Sequence, residues 1–104
     1  MSEFVSVTRV EDLRPGQVKV FEVNDEYVAV ANVDGEFCAF ADVCTHDDGP
    51  LVEGELEGRV ITCPRHGARF DVCSGKVLSL PAVVPLPTFE LRVVDGEVQV
   101  RLED

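Results

Sequence analysis

The chain has no tryptophan, one tyrosine and one methionine, so its apolar content rests on valine and other strand-forming residues, unlike the Ala-, Leu- and Met-rich stretches of helices. That scarcity points to a β protein. No stretch approaches the roughly 20 apolar residues of a membrane-spanning helix, and the opening residues lack the basic-then-apolar layout of a secretion signal. A cytoplasmic chain without membrane attachment is therefore expected. Basic side chains are scarce too, nine against twenty acidic, for a formal net charge of −11. Such a balance repels nucleic acid and anionic membranes, and it suits a partner with a basic docking face as well as plain solubility. At 104 residues the chain has room for one hydrophobic core in one domain, 1–104.

What is present reads as hairpins. Apolar and polar residues alternate through 18–23 (Val-Lys-Val-Phe-Glu-Val), and after the turn-forming Asn24, Asp25 and Glu26 a second run spans 27–32. Asp34-Gly35 separates that run from 36–40, and Asp95-Gly96 separates 89–94 from 97–102. An Asp-Gly pair between apolar runs favours the hairpin turn with positive φ at both central residues. A further strand around 4–7 precedes the turn Arg14-Pro15-Gly16. From Asp42 to Pro87 glycine and proline punctuate short apolar runs such as 60–62 and 77–78, and this stretch carries both histidines and three of the four cysteines. No repeat, low-complexity tract or amphipathic helix is evident.

Within that stretch Cys44-Thr45-His46 and Cys63-Pro64-Arg65-His66 each pair a thiolate donor with an imidazole donor, with positions 47–62 between them. In a reducing compartment, cysteine beside histidine favours a metal site over disulfides. Buried cysteines that merely fill a core, with surface histidines beside them, are the bland alternative. It fits poorly, because the two histidines of the chain each lie within three residues of a cysteine, in loop sequence. Structural zinc is the sharper rival, but Cys₂His₂ zinc sites commonly use a Cys-x-x-Cys knuckle and a separate histidine pair.

Cys-x-His, a spacer of about this length and then Cys-x-x-His resembles the signature of the Rieske iron–sulfur proteins. Gly67 after the last histidine and the later Leu80-Pro81-Ala82 are similar to that family's tight second loop and proline-bearing covering loop. The resemblance implies an all-β Rieske fold, with an antiparallel sandwich or barrel-like base and a small cluster-binding subdomain, approximately 42–82, inserted in it. It implies one [2Fe–2S] cluster, with Cys44 and Cys63 on one iron and His46 and His66 on the other. Two ferric ions, two sulfides and two thiolates then sum to zero charge with neutral imidazoles, whereas four thiolates would leave the core doubly negative. Adding an electron to the neutral core costs less, and Rieske potentials lie at roughly −150 to +300 mV against about −400 mV for plant-type ferredoxins.

Departures from the high-potential members narrow that window. Their loop disulfide has no counterpart, because Gly49 and Arg65 stand at the corresponding positions, and the Ser and Tyr whose hydroxyls donate to the cluster are matched by Ala68 and Phe70. Losing donors that stabilise the reduced core lowers the potential, toward about −150 mV. The resemblance is closest to the ferredoxins of bacterial aromatic-ring dioxygenase systems. It implies a non-enzymatic, monomeric carrier that passes single electrons from a flavin-dependent ferredoxin reductase to a terminal oxygenase, with His46 and His66 facing solvent as the exit route. An accessory subunit similar to the small subunit of nitrite reductase, or a ferredoxin for another pathway such as iron–sulfur assembly, is the alternative. Catalysis within this chain is excluded, since an oxygenase needs a further iron held by two His and a carboxylate and no histidine follows His66. Cys38 shares a strand face with Phe40 and is expected to be a buried apolar residue, and Cys73 a structural one. Asp47, Asp48, Glu53, Glu55 and Glu57 form an acidic surround of the first loop, either a solvated face or a guide for a basic partner.

Overall fold

A computed structural model describes residues 3–42, 54–63, 67–79 and 85–101. Among them ten strands form two sheets: β1 Phe4–Arg9, β2 Val18–Val23, β3 Glu26–Val33, β4 Glu36–Ala41, β5 Glu55–Glu57, β6 Val60–Thr62, β7 Arg69–Asp71, β8 Val77–Ser79, β9 Thr88–Val94 and β10 Glu97–Arg101. The one helical piece among the described residues is a single 3₁₀ turn, Val10–Asp12. No helix there is long and apolar enough to cross a membrane.

The larger sheet has the antiparallel order β1-β10-β9-β4-β3-β2. Its three hairpins are those expected from the turn residues. Asn24-Asp25, Asp34-Gly35 and Asp95-Gly96 all take positive φ at both positions, the twist that matches right-handed strands. Ala39 opposite Phe89 and Phe40 opposite Thr88 join the β1-β10-β9 half of the sheet to the β4-β3-β2 half. The sheet curls until its edge strands β1 and β2 face each other across an open groove of about 510 Å³, giving a barrel-like base. The smaller sheet, β5-β6-β7-β8, is an antiparallel meander between β4 and β9 in the chain.

One hydrophobic core was expected, and the structure has two. Val28, Val30, Ala39, Val98 and Val100 pack inside the curled sheet with Leu13 and Val23. Ala29, Ala31, Cys38 and Phe40, from the opposite face of β3 and β4, pack against Ile61, Cys63, Ala68, Phe70, Val72 and Leu86. Successive strand residues point to opposite faces, so β3 can serve both cores only by being apolar on both sides, as the run Val28 to Ala31 is. Asn32 ends that run. Its Nδ2 donates to the Leu13 carbonyl at 2.8 Å, and its Oδ1 accepts the Gly35 amide at 2.7 Å. A buried amide is thereby satisfied while it ties the 13–17 loop to the β3–β4 turn.

One expectation about cysteine needs correction. Cys38 is buried with Phe40 as anticipated, but it is not a lone apolar filler: it forms a disulfide with Cys73, their Cα atoms 5.0 Å apart. Cys73, expected to be structural, is so as the other half of this crosslink. Spacing along the chain could not reveal it, because the partners are 35 residues apart and belong to different sheets. Closing a loop of that size removes roughly 4 kcal/mol of conformational freedom from the unfolded chain in the chain-entropy account.

Candidate metal centre

Cys63 follows β6 directly, and β6 and β7 pair as antiparallel strands on either side of positions 63–68. Val60, Ile61 and Thr62 pair with Asp71, Phe70 and Arg69, with Ile61 and Phe70 facing the core. At the mouth of the loop the Cys63 amide donates to the Ala68 carbonyl at 2.7 Å, and the Gly67 amide donates to the Cys63 carbonyl at 3.1 Å. The chain at Gly67 takes φ +77°, a left-handed conformation that costs glycine nothing and most residues about 1–2 kcal/mol. These contacts fix Cys63 and Gly67, the described residues on either side of positions 64–66.

Cys63 is 1% exposed and is the free cysteine among the described residues. A buried thiol without a disulfide partner, at the base of a pinned loop, suits a soft metal ligand that must be held in one orientation. Cys44, His46 and His66 lie outside the described residues, as do Gly49 and Arg65, the acidic Asp47, Asp48 and Glu53, and Leu80-Pro81-Ala82. Ala68 and Phe70 are described. Both are fully buried, so each fills the second core and neither offers a hydroxyl. Glu55 and Glu57 are exposed on β5.

Residues not singled out in the sequence support this hairpin from behind. The Asp71 carboxylate accepts the amides of Cys73 at 2.8 Å and Ser74 at 2.9 Å, an Asx-type turn that starts the β7–β8 connection. Burial alone would raise its pKa, but those two amides and the Arg59 guanidinium, 3.3 Å away, outweigh burial and hold the carboxyl below its ordinary value. Gly75 closes the turn. Its amide donates to the Asp71 carbonyl and its carbonyl accepts the Leu86 amide, both at 2.8 Å. A Cβ at Gly75 would stand 2.2 Å from the Leu86 carbonyl oxygen, so only glycine fits. The Asp-x-x-Ser-Gly pattern was the available signal for this turn.

Comparison with known proteins agrees with this geometry. Residues 3–90 match the family described as the Rieske [2Fe-2S] domain, and the chain belongs to it and carries one Rieske-type [2Fe–2S] cluster. The chain is 47% identical over 92 residues to the ferredoxin component of biphenyl 2,3-dioxygenase from Rhodococcus jostii, covering 88% of this chain and 86% of that one. It is 43% identical over 98 residues to the ferredoxin CarAc of Metapseudomonas resinovorans, with 93% and 92% covered. Among solved structures, a complex of reduced oxygenase and oxidised ferredoxin in carbazole 1,9a-dioxygenase matches with a TM-score of 0.88 at 42% identity, covering 93% of this chain and 91% of the matched one.

Proposed function

We propose that this protein is a mobile one-electron carrier that accepts electrons from a flavin-dependent ferredoxin reductase and delivers them to a terminal oxygenase. The observation that carries this reading is the match along nearly its whole length to a chain in a ferredoxin–oxygenase complex. The similarity is to ferredoxin components whose own length this chain covers to 86% and 92%. A cytoplasmic location and a monomeric state belong to the same reading.

Cys44 and Cys63 supply the thiolates of one iron and His46 and His66 the imidazoles of the other, within a cluster-binding subdomain of approximately 42–82. The group, when bound, supplies a reversible one-electron acceptor. The protein contributes the hairpin that fixes Cys63, the apolar packing of Ile61, Ala68 and Phe70 that keeps water from behind it, and the absence of hydroxyl donors at 68 and 70. The net charge of −11, with Glu55 and Glu57 exposed, favours encounter with basic partner surfaces.

Stopped-flow mixing of the reduced holoprotein with an oxidised terminal oxygenase of the biphenyl class tests the reading. Reoxidation that saturates with oxygenase concentration and slows as salt rises is expected. Reoxidation no faster than in buffer would sink it.

A further inference from the structure

The disulfide joins positions 38 and 73, and between them lie all four proposed ligand positions, 44, 46, 63 and 66. It also links the two sheets, because Cys38 is on β4 and Cys73 is in the turn after β7. Arg59 bridges the same two elements without a covalent bond. Its guanidinium lies 3.7 Å from Glu36 on β4 and 3.3 Å from Asp71 on β7, and its carbonyl accepts the Val72 amide at 2.8 Å. The Glu36 carboxylate and both sulfurs fall within 4.8 Å of one another, which puts the sulfurs beside this charged bridge. In the reducing compartment proposed above, disulfides are uncommon, and those that form are typically redox-sensing or catalytic.

We propose that Cys38 and Cys73 form a second, two-electron redox site, open to thiol reductants, whose disulfide form clasps the segment that retains the cluster. The inference rests on the ligand reading above. The two sulfurs differ in access: Cys73 is partly exposed and Cys38 is buried. A thiolate of a dithiol reductant attacks Cys73 Sγ, the S–S bond breaks, and Cys38 leaves as a thiolate that takes a proton from solvent. The second thiol of the reductant then displaces Cys73, which is protonated in turn. The net change is one protein disulfide reduced to two thiols and one dithiol oxidised to its disulfide, with two electrons and two protons transferred. The Glu36 carboxylate, within 4.8 Å of both sulfurs, opposes negative charge on the leaving thiolate, and its pairing with Arg59 offsets part of that repulsion. With the covalent link gone, β4 and the 71–75 turn are held by packing and the exposed Arg59 bridge, and these two elements separate more often.

The holoprotein provides the test. Samples with and without dithiothreitol, under argon, are alkylated with iodoacetamide to locate free thiols by mass, and loss of visible absorbance is followed after an iron chelator is added. Alkylation of Cys38 and Cys73 only after reductant, with cluster loss faster by about tenfold, is the expected result. Equal rates in the two samples, or both thiols alkylated before reductant, overturn the proposal. Cys38→Ser/Cys73→Ser should lose its cluster at the fast rate with or without dithiothreitol, and a reductant effect that persists in this variant also overturns it. Cys63→Ser tests the ligand reading separately: a full cluster content there defeats the ligand assignment and leaves the disulfide measurement on wild type standing.

Discussion

Ile61 and Phe70 lie directly opposite each other across β6 and β7, both without solvent exposure, and their strands run into Cys63 and Ala68 at the mouth of the second loop. The pair is the floor on which Cys63 is held. Ile61→Ala removes buried methyl groups from a closely packed sheet interface and should cost about 2–5 kcal/mol. Thermal melts should show a lowered Tm, and iron and sulfide analysis a reduced cluster content per chain.

In the proposed reading Ala68 stands where high-potential members carry a hydroxyl donor, so a hydroxyl placed there tests that role. If Ala68→Ser adds a hydrogen bond worth about 1 kcal/mol more to the reduced than to the oxidised state, the one-electron potential rises by about 40 mV. Film voltammetry of wild type and variant measures it. Wild type should lie near the low end of the Rieske range, about −150 mV, and a value above roughly +100 mV would refute the role given to Ala68 and Phe70.

These two expectations draw on features with unequal visibility in the sequence. Asn24-Asp25, Asp34-Gly35 and Asp95-Gly96 announce their hairpins because positive φ at two adjacent positions is a strong local requirement. The strands β5 and β7 are three residues each, too short for a period of two to stand out, and their existence depends on pairing with β6. The two-sided burial of β3 is written in the run Val28 to Ala31, yet which sheet covers which face is decided only by packing. The four candidate ligands stand out through spacing and residue type. Asp71 is signalled only by the local Asp-x-x-Ser-Gly pattern, and Arg59 and the strict need for glycine at 75 are not signalled at all, since they depend on contacts with Glu36 on β4 and with Leu86 that local sequence leaves unspecified.

Gly75→Ala should be among the most damaging small substitutions in the chain. It combines φ +81° with a Cβ driven against the Leu86 carbonyl oxygen at 2.2 Å. Backbone strain alone costs about 1–3 kcal/mol, and the overlap adds to it. Urea titration should show a lowered midpoint with little change in slope, as expected for a loss of stability without a change of fold.

Asn32→Ala leaves the Leu13 carbonyl and the Gly35 amide without their buried partner. A cost of about 1–3 kcal/mol is expected. Because Asn32 ties the 13–17 loop to the β3–β4 turn, hydrogen exchange should rise first at Gly16, Gln17 and Gly35, while Cys63 and Gly67 keep their protection.

Asp71 sets an acid limit. Its folded pKa lies below the ordinary carboxyl value of about 3.9, so its ionised form is favoured by folding. The stability this provides is complete above about pH 4 and is lost as pH falls through the lower folded value. In Asp71→Asn the stability of the apoprotein between about pH 5 and pH 2 should fall less steeply than in wild type, as followed by denaturant titration at each pH. An identical pH slope in the two proteins would show that the Cys73 and Ser74 amides do not stabilise the charge.

Mixed sulfur and nitrogen ligation is the claim on which the rest depends, and the EPR spectrum of the dithionite-reduced protein tests it most directly. A rhombic signal whose average g value is lower than that of a four-cysteine ferredoxin is the predicted result. A colourless, EPR-silent protein with stoichiometric zinc, or a signal with the average g of an all-cysteine cluster, would contradict it.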